Sequence, residues 1–113
     1  MKIIKESEVQ YHDRPTSIVG GVSSIGWAVN APESKLLAGF GISEGDEQVF
    51  KTIDYEEIIY VISGVFGVEV EGVVYTASAG EVLHLPPGST VRYVSSDAKF
   101  FFAISNPALP LGQ

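Results

Sequence analysis

The fold is decided by the stretch 57-EIIYVISG-64, a glutamate followed by an apolar run and a glycine. A second stretch, 80-GEVLHLPPGSTV-91, has a glycine and an acidic residue, then a short apolar run, then Pro-Pro-Gly. Short apolar runs bounded by Gly and Pro are typical of buried strands. Both stretches therefore predict short strands that end in tight turns.

Strand-like runs recur along the rest of the chain, separated by Gly, Pro, Asn, Asp and Ser. In 65-VFGVEVEGVVYT-76, apolar and polar or small residues alternate, and 71-EG-72 predicts a hairpin turn. No segment shows a helical period with caps, although IIKESEVQY at the N-terminus fits a strand or one helical turn. Further strands are expected at Ser17–Val22, Leu36–Ile42, Gln48–Ile53, Glu57–Ile62, Glu81–Leu85, Thr90–Val94 and Lys99–Ser105.

Length and composition bound the class of protein. The 113 residues predict one all-β domain over 1–113, with a sandwich, a jelly roll or a closed barrel as the possible architectures. A net charge of −7 argues against nucleic-acid and anionic-membrane partners. The absence of cysteine excludes disulfides and thiolate sites. No apolar run is long enough for a signal peptide or a membrane span, so a cytoplasmic protein is expected.

The two stretches together resemble the two motifs of the cupin superfamily, the RmlC-like double-stranded β-helix (jelly roll). Motif one covers about residues 51–64 and motif two about residues 80–91. The resemblance implies a single jelly-roll barrel. The motif positions that match are Glu57, Gly64, Gly80, Pro86 and Gly88.

The metal-ligand histidines of the cupins are absent. Their positions in motif one fall at Lys51 and Ile53, or at residues 50 and 52 with a loop one residue longer, and the position in motif two falls at Val91. The chain has only His12 and His84, and neither stands at a ligand position. A catalytic zinc or iron site usually needs three His or carboxylate ligands, so no metal and no cofactor is expected.

The run 54-DYEEIIYVISG-64 with 79-AGEVLHLPPGSTV-91 is similar to the EutQ type of cupin, named from ethanolamine utilisation. That type also lacks the histidines and keeps a Tyr-acidic-Glu run before the strand. The match covers roughly residues 37 to 108. Since EutQ relatives are associated with acetate kinase activity, the resemblance implies this activity as one candidate.

The alternation of side chains along the strands predicts which residues line a pocket inside the barrel. Side chains of a strand alternate between its faces, so Tyr55, Ile53 and Lys51 share the face of Glu57. The resemblance turns Val91 inward, and Tyr93 then shares its face. A few polar groups in an apolar cavity are the usual form of a small-molecule site. We therefore predict Lys51, Tyr55, Glu57 and Tyr93 as ligand-binding residues, Glu57 and Tyr55 as catalytic candidates, and an apolar frame of Ile53, Ile59, Leu83 and Val91.

Other polar residues have competing interpretations. Glu57 is either a general acid or base with a raised pKa, or a carboxylate hydrogen-bonded inside the barrel with no further role. His84 is expected to point outward near Tyr60, in a dimer interface or a surface hydrogen bond. A solvated barrel rim is expected for the acidic residues Glu44, Asp46, Glu47, Asp54 and Glu56.

Three functions remain open. The first is a metal-independent small-molecule-binding cupin, an accessory protein in a catabolic pathway such as ethanolamine utilisation. The second is an enzyme that uses Glu57 and tyrosines as acid–base groups, as an acetate kinase or a small isomerase or lyase. The third is a structural protein with a vestigial site. Apolar residues on both faces of the strand at 100–104 also predict a homodimer.

Overall fold

The computed structural model describes residues 1–14 and 21–109. These residues form one antiparallel sheet of eight strands, ordered β1-β2-β3-β8-β5-β6, with β4 paired to β8 and β7 paired to β5. A 3₁₀ turn at Glu6–Glu8 precedes the sheet. No helix of the described residues is long and apolar enough to cross a membrane. The strands are β1 Tyr11–Asp13, β2 Val22–Val29, β3 Leu36–Asp46, β4 Lys51–Thr52, β5 Glu57–Val70, β6 Val73–Ser78, β7 Val82–Leu85 and β8 Thr90–Ser105.

Two long strands curl the sheet into a jelly roll. The first half of β5 pairs with β7 and its second half pairs with β6, while β8 runs alongside both halves. The partner of β5 changes from β7 to β6 near Gly64, where φ is +75° and the register between β5 and β8 shifts. A Cβ there would meet the carbonyl oxygen of Asp97, so the bend requires glycine. The predicted all-β jelly roll is confirmed.

The predicted hairpin is present between β5 and β6. Val70 pairs with Val73, and the two residues between them, Glu71 and Gly72, have φ values of +51° and +79°. Positive φ at both central residues is the type I′ geometry that matches the twist of the flanking strands. Along β5, Phe66 and Val68 are buried, as their alternation predicts.

The inner face of the barrel carries the core, and a pair of glycines shapes its aromatic part. Gly39 and Gly41 of β3 lie opposite Phe102 and Phe100 of β8. A Cβ at either glycine would press against the facing phenyl ring. The glycines therefore let both rings lie flat over β3. The core residues are Ile53, Ile59, Val61, Phe66, Val68, Ala77, Leu85, Val91, Tyr93, Ala98, Phe100, Phe102 and Ile104.

The outer face of β3, β8, β5 and β7 is also apolar. Phe101 points away from the core and packs edge-on against Phe40, with 5.4 Å between ring centroids. Tyr60 lies beside Phe101 in the register and is 45% exposed. We call this surface the outer apolar face; it is formed by Phe40, Ile58, Tyr60, Ile62, Val82 and Phe101.

Several strand predictions differ from the structure. The strands expected at 57–62 and 65–70 are one continuous β5, and those at 90–94 and 99–105 are one β8, because glycine and serine bend these strands without ending them. Only two residues of the strand at 48–53 are extended, Lys51–Thr52. The glycine- and serine-rich β2 was not predicted beyond Val22. Residues 17–20 of the strand expected at 17–22 lie outside the described residues.

Candidate functional site

A cavity of about 160 Å³ opens into the barrel at one end. The four polar residues predicted from strand parity, Lys51, Tyr55, Glu57 and Tyr93, all line it. The structure thus brings these side chains together, while their binding of a ligand stays a prediction. The remaining lining residues are Arg14, Ile25, Trp27, Ser43, Ile59, Phe66, Phe100, Phe102 and Ile104.

A hydrogen bond between a glutamate and a tyrosine lies at the floor of the cavity. Glu57 is the first residue of β5 and Tyr93 lies on β8, and they are 7% and 6% exposed. Tyr93 Oη donates to Glu57 Oε1 over 2.6 Å. No described residue donates to the second oxygen, Oε2. The carboxyl group therefore keeps one oxygen for a partner in the cavity.

Burial sets the protonation of this pair. It raises the pKa of Glu57, while the hydrogen bond from Tyr93 and the charges of Lys51 and Arg14 act in the opposite direction and are smaller. Burial, followed by the charge of Glu57, also raises the pKa of Tyr93. Tyr93 therefore remains a proton donor at neutral pH, and Glu57 titrates nearer neutrality than an exposed glutamate.

Two cations face the same tyrosine ring. Lys51 Nζ lies 4.2 Å from the ring centroid of Tyr93, and the guanidinium carbon of Arg14 lies 5.7 Å from it. Both distances are within the range of cation–π attraction. Burial, followed by the charge of Arg14, lowers the pKa of Lys51. The amine is therefore easier to deprotonate than an exposed lysine.

Tyr55 completes the polar side of the cavity from the segment between β4 and β5. Burial, followed by the charge of Glu57, raises its pKa to about 12. A phenol of this kind donates a hydrogen bond at neutral pH and is a poor base. Its catalytic role stays a prediction.

Sequence reasoning missed Arg14, which lines the cavity, and its ion-pair partner Glu47, which does not. Glu47, expected on a solvated rim, is only 4% exposed. Its Oε1 accepts from the backbone N–H of Tyr93 at 3.1 Å, and its Oε2 pairs with Arg14 at 3.3 Å. The rim interpretation is wrong for Glu47 because this ion pair and backbone hydrogen bond compensate for its burial. Arg14 lies 33 residues earlier in the chain, so no local pattern indicated the pair.

The expected apolar frame is only partly correct. Ile59 lines the cavity, but Ile53 and Val91 are packed into the core at 2% and 0% exposure and do not reach it. Leu83 lines a different cavity of about 280 Å³, together with Val68, Val70, Tyr75, His84, Leu85, Pro86 and Ser89. Ile53, Leu83 and Val91 do not line the cavity because the sheet is curved. The curvature brings aromatic side chains of β2, β5 and β8 into the space that strand alternation had assigned to these three residues.

The exposed charged residues near the motif lie outside this cavity. His84 points outward, and its Nε2 lies 2.6 Å from Glu56 Oε2, with both side chains about half exposed. His84 therefore makes the expected surface hydrogen bond. Asp54 and Glu56 are exposed, in agreement with a solvated rim.

The cavity does not fit a protein-held transition metal. Lys51 lines it, and a lysine ammonium repels a cation. Among the described lining residues, Glu57 is the only His, Cys, Asp or Glu. Nowhere in residues 1–14 and 21–109 do three or more such side chains form a group that could hold a metal ion. The described lining thus lacks the three His or carboxylate ligands that a catalytic zinc or iron site usually has.

Comparisons with known proteins identify the family. The model of the family described as ethanolamine utilisation protein EutQ matches residues 4–109. The acetate kinase EutQ of Clostridioides difficile (strain 630) is 35% identical over 71 residues, which are 62% of this chain and 45% of that protein. The chain thus spans less than half of the length of this curated relative.

Solved structures agree with this assignment. The ethanolamine utilization protein Q of Salmonella typhimurium LT2 superposes with a TM-score of 0.81 at 25% identity, covering 96% of this chain and 88% of that one. The cupin domain of Schizosaccharomyces pombe Cnp3 shares the fold, with a TM-score of 0.70 at 10% identity over 89% of this chain and 71% of that one. Since the family model covers nearly the whole chain, the protein belongs to the EutQ family of ethanolamine utilisation proteins, which has the cupin fold.

Proposed function

We propose that the protein is a metal-independent, small-molecule-binding cupin of ethanolamine utilisation, and that its ligand binds in the Glu57 cavity. The single observation that carries the proposal is the convergence of Glu57, Tyr93 and Lys51 on an open cavity inside the barrel. A location in the cytoplasm remains part of the proposal.

The cavity favours binding over a vestigial site. In a vestigial site the protein's own side chains would fill the space left by the lost histidines. Here about 160 Å³ stays open, and Glu57 lines this space in spite of the cost of burying a carboxyl group. Pockets for drug-sized ligands measure about 300–1,000 Å³, so this cavity suits a compact molecule.

The chemistry of the lining describes the ligand. Glu57 Oε2 can accept a hydrogen bond, or donate one when protonated, and the Lys51 amine offers further donors. The opposite wall is aromatic and aliphatic, from residues that include Trp27 and Phe102. We therefore propose a ligand with one polar end at Glu57 and Lys51 and a short apolar end against this wall.

The experiment is calorimetric titration of small probes, with ethanolamine and acetate first because they are the compounds in the names of the family and its curated relative. A hydrogen bond to a charged group is worth about 1.5–3 kcal/mol. Glu57→Gln should therefore weaken binding roughly 10- to 100-fold. Glu56→Gln is the matched control, since this neighbouring side chain is exposed and should change affinity less than about twofold. Equal binding by the wild type and Glu57→Gln would place the ligand elsewhere.

Acid–base catalysis is the second candidate, and one observation favours it. Glu57, Tyr93 and Lys51 all have shifted pKa values within one cavity, which is common in active sites. For phosphoryl transfer, as in the name of the acetate kinase relative, a phosphate-binding loop would be expected. The glycines of 39-GFG-41 instead lie within β3. Formation of acetyl phosphate from ATP and acetate would test that activity directly.

A further inference from the structure

The Lys51 amine is the least restrained charged group of the cavity. Among the described residues its Nζ forms no hydrogen bond and no ion pair, in contrast to Arg14, which is held by Glu47 and by Ser23 Oγ at 2.9 Å. The side chain is half-buried and lines the cavity. Its Nζ lies over the ring face of Tyr93, 4.2 Å from the centroid. The amine is therefore positioned to react with a molecule in the cavity.

Burial and the charge of Arg14 favour the neutral form of Lys51, and they outweigh the carboxylates of Glu47 and Glu57, which favour the charged form. Arg14 lies against the same ring and stays protonated at any ordinary pH, so it opposes a second positive charge nearby. Partial burial opposes the charge as well, and together they lower the pKa of Lys51. A lysine desolvated in a pocket or beside another cation is the arrangement that activates an amine as a nucleophile.

We propose that Lys51 is a nucleophile that forms an imine with small aldehydes in the Glu57 cavity. The proposal rests on this cavity being the ligand site, and it adds the class of compound and the residue that reacts. A short aldehyde meets the size of the cavity, with its alkyl end against the aromatic wall and its carbonyl group toward Lys51 and Glu57.

The reaction balances without an oxidant or a reductant. The nitrogen lone pair of neutral Lys51 attacks the carbonyl carbon, a C–N bond forms, and one proton moves from the nitrogen to the oxygen to give a carbinolamine. The hydroxyl oxygen then takes up a second proton and leaves as water while the nitrogen lone pair forms the C=N bond. The nitrogen gives up its remaining proton, which replaces the one supplied to the departing oxygen. The product is an imine between Lys51 and the aldehyde carbon, and hydrolysis reverses the reaction.

Glu57 is the group that can move these protons. It lines the same cavity and its raised pKa brings it nearer neutrality, so it can protonate the departing oxygen and then accept a proton. The hydrogen bond from Tyr93 holds its carboxyl group in place. Tyr93 itself has a raised pKa and is a weaker acid for this step.

The test is reductive trapping with propanal. The folded protein is incubated at neutral pH with limiting propanal and sodium cyanoborohydride, which reduces any imine to a stable N-propyl lysine, and peptide mass spectrometry measures each site. The exposed Lys35 is the internal reference. A positioned acid–base group contributes about 100-fold or more, so we expect Lys51 to be modified at least about tenfold faster than Lys35.

Two variants and one condition sharpen the result. Glu57→Gln should remove most of the advantage of Lys51 and leave Lys35 unchanged. Lys51→Arg keeps the charge but has no nucleophilic amine, so the rapidly modified species should disappear. In urea, the advantage of Lys51 over Lys35 should vanish. Modification of Lys51 no faster than Lys35 in the folded protein would overturn the proposal, as would an advantage that persists in urea.

This outcome is separable from that of the proposed function. Ligand binding that depends on Glu57, without rapid trapping at Lys51, would leave the binding cavity standing and reject only the imine. Such a result would mean that the Lys51 ammonium only pairs with ligand anions. The opposite result is rapid trapping at Lys51 that Glu57→Gln does not slow, together with unchanged ligand binding in that variant. It would reject the assigned role of Glu57.

Discussion

At the residue scale, the site is organised around one buried carboxyl group. Glu57 is held by Tyr93, and its surroundings include the cations Lys51 and Arg14. A buried carboxyl group with one bonded oxygen and one facing a cavity is costly without a partner. The surrounding donors and cations partly offset this cost, and the carboxyl group stays available to a ligand.

Glu57→Gln should change the pH dependence of stability. Because the folded pKa of Glu57 is raised, its contribution to stability is complete below the ordinary glutamate pKa and is lost as pH rises through the folded pKa. Glutamine cannot ionise, so Glu57→Gln should gain free energy of unfolding relative to the wild type between about pH 5 and about pH 8. Urea unfolding at both pH values measures this, with Glu56→Gln as the control. A relative loss for Glu57→Gln over this range would contradict the assignment.

Tyr93→Phe should destabilise the fold. It removes the hydrogen bond to Glu57 Oε1 and leaves a buried carboxyl oxygen without a donor, which costs about 1–3 kcal/mol. The control is Tyr75→Phe, on β6 and 53% exposed, which should stay within about 0.5 kcal/mol. Equal free energies of unfolding for the two variants would mean that the buried hydrogen bond is not formed.

At the element scale, β3 and β8 together form the aromatic wall of the cavity. Phe100 and Phe102 occupy space that exists only because Gly39 and Gly41 carry no side chain. The wall therefore depends on the register of two strands separated by more than forty residues in the chain, since β3 ends at Asp46 and β8 begins at Thr90.

Gly41→Ala should damage both stability and ligand binding. The new Cβ would press into the ring of Phe100, and overpacking of this kind costs about 1–3 kcal/mol. The displaced ring would also narrow the cavity. Gly72→Ala is a useful control, because its positive φ strains the turn while its Cβ meets nothing, so it should lower stability and leave ligand affinity unchanged. Unaltered ligand affinity in Gly41→Ala would show that this wall does not touch the ligand.

From the sequence, the strands and the face on which a side chain lies could be predicted better than the curvature of the sheet. The cupin resemblance at Val91 and alternation along β8 correctly placed Tyr93, because side-chain direction within a strand depends on local backbone geometry. Lys51, Tyr55 and Glu57 also meet at the cavity, although residues 53–56 between β4 and β5 are not in a strand. Alternation failed for the apolar frame and for Glu47, since their places depend on how distant strands bend around each other. Pairings such as Arg14 with Glu47 join segments with no shared pattern.

At the scale of the whole molecule, the barrel has an apolar inner face and an apolar outer face, and the described residues cover only the inner one. On the outer apolar face, Ile58, Tyr60 and Ile62 are 46%, 45% and 40% exposed. Val82 continues the patch on β7 at 57% exposure. Contiguous apolar surface of this kind is uncommon on monomers. We propose that a second copy of the chain covers it.

Sedimentation equilibrium at micromolar concentration should therefore give a dimer. Ile58→Glu places a charge within the outer apolar face and should raise the dimer dissociation constant by about 30-fold or more, the effect of a central interface residue worth about 2 kcal/mol. Val74→Glu is the matched control, since Val74 is similarly exposed but lies on β6, away from this face. A wild-type monomer would contradict the dimer, and equal effects of the two variants would place the interface elsewhere.

We propose that the cavity of this EutQ-family cupin binds a small organic molecule through Glu57 rather than through a metal. The most direct measurement is a crystal structure of protein purified without chelators and soaked with a probe that binds in calorimetry. We predict density for the probe between Glu57 Oε2, Lys51 and the aromatic wall. A metal ion coordinated by Glu57, or a probe bound only in the cavity lined by Leu83 and His84, would contradict the account.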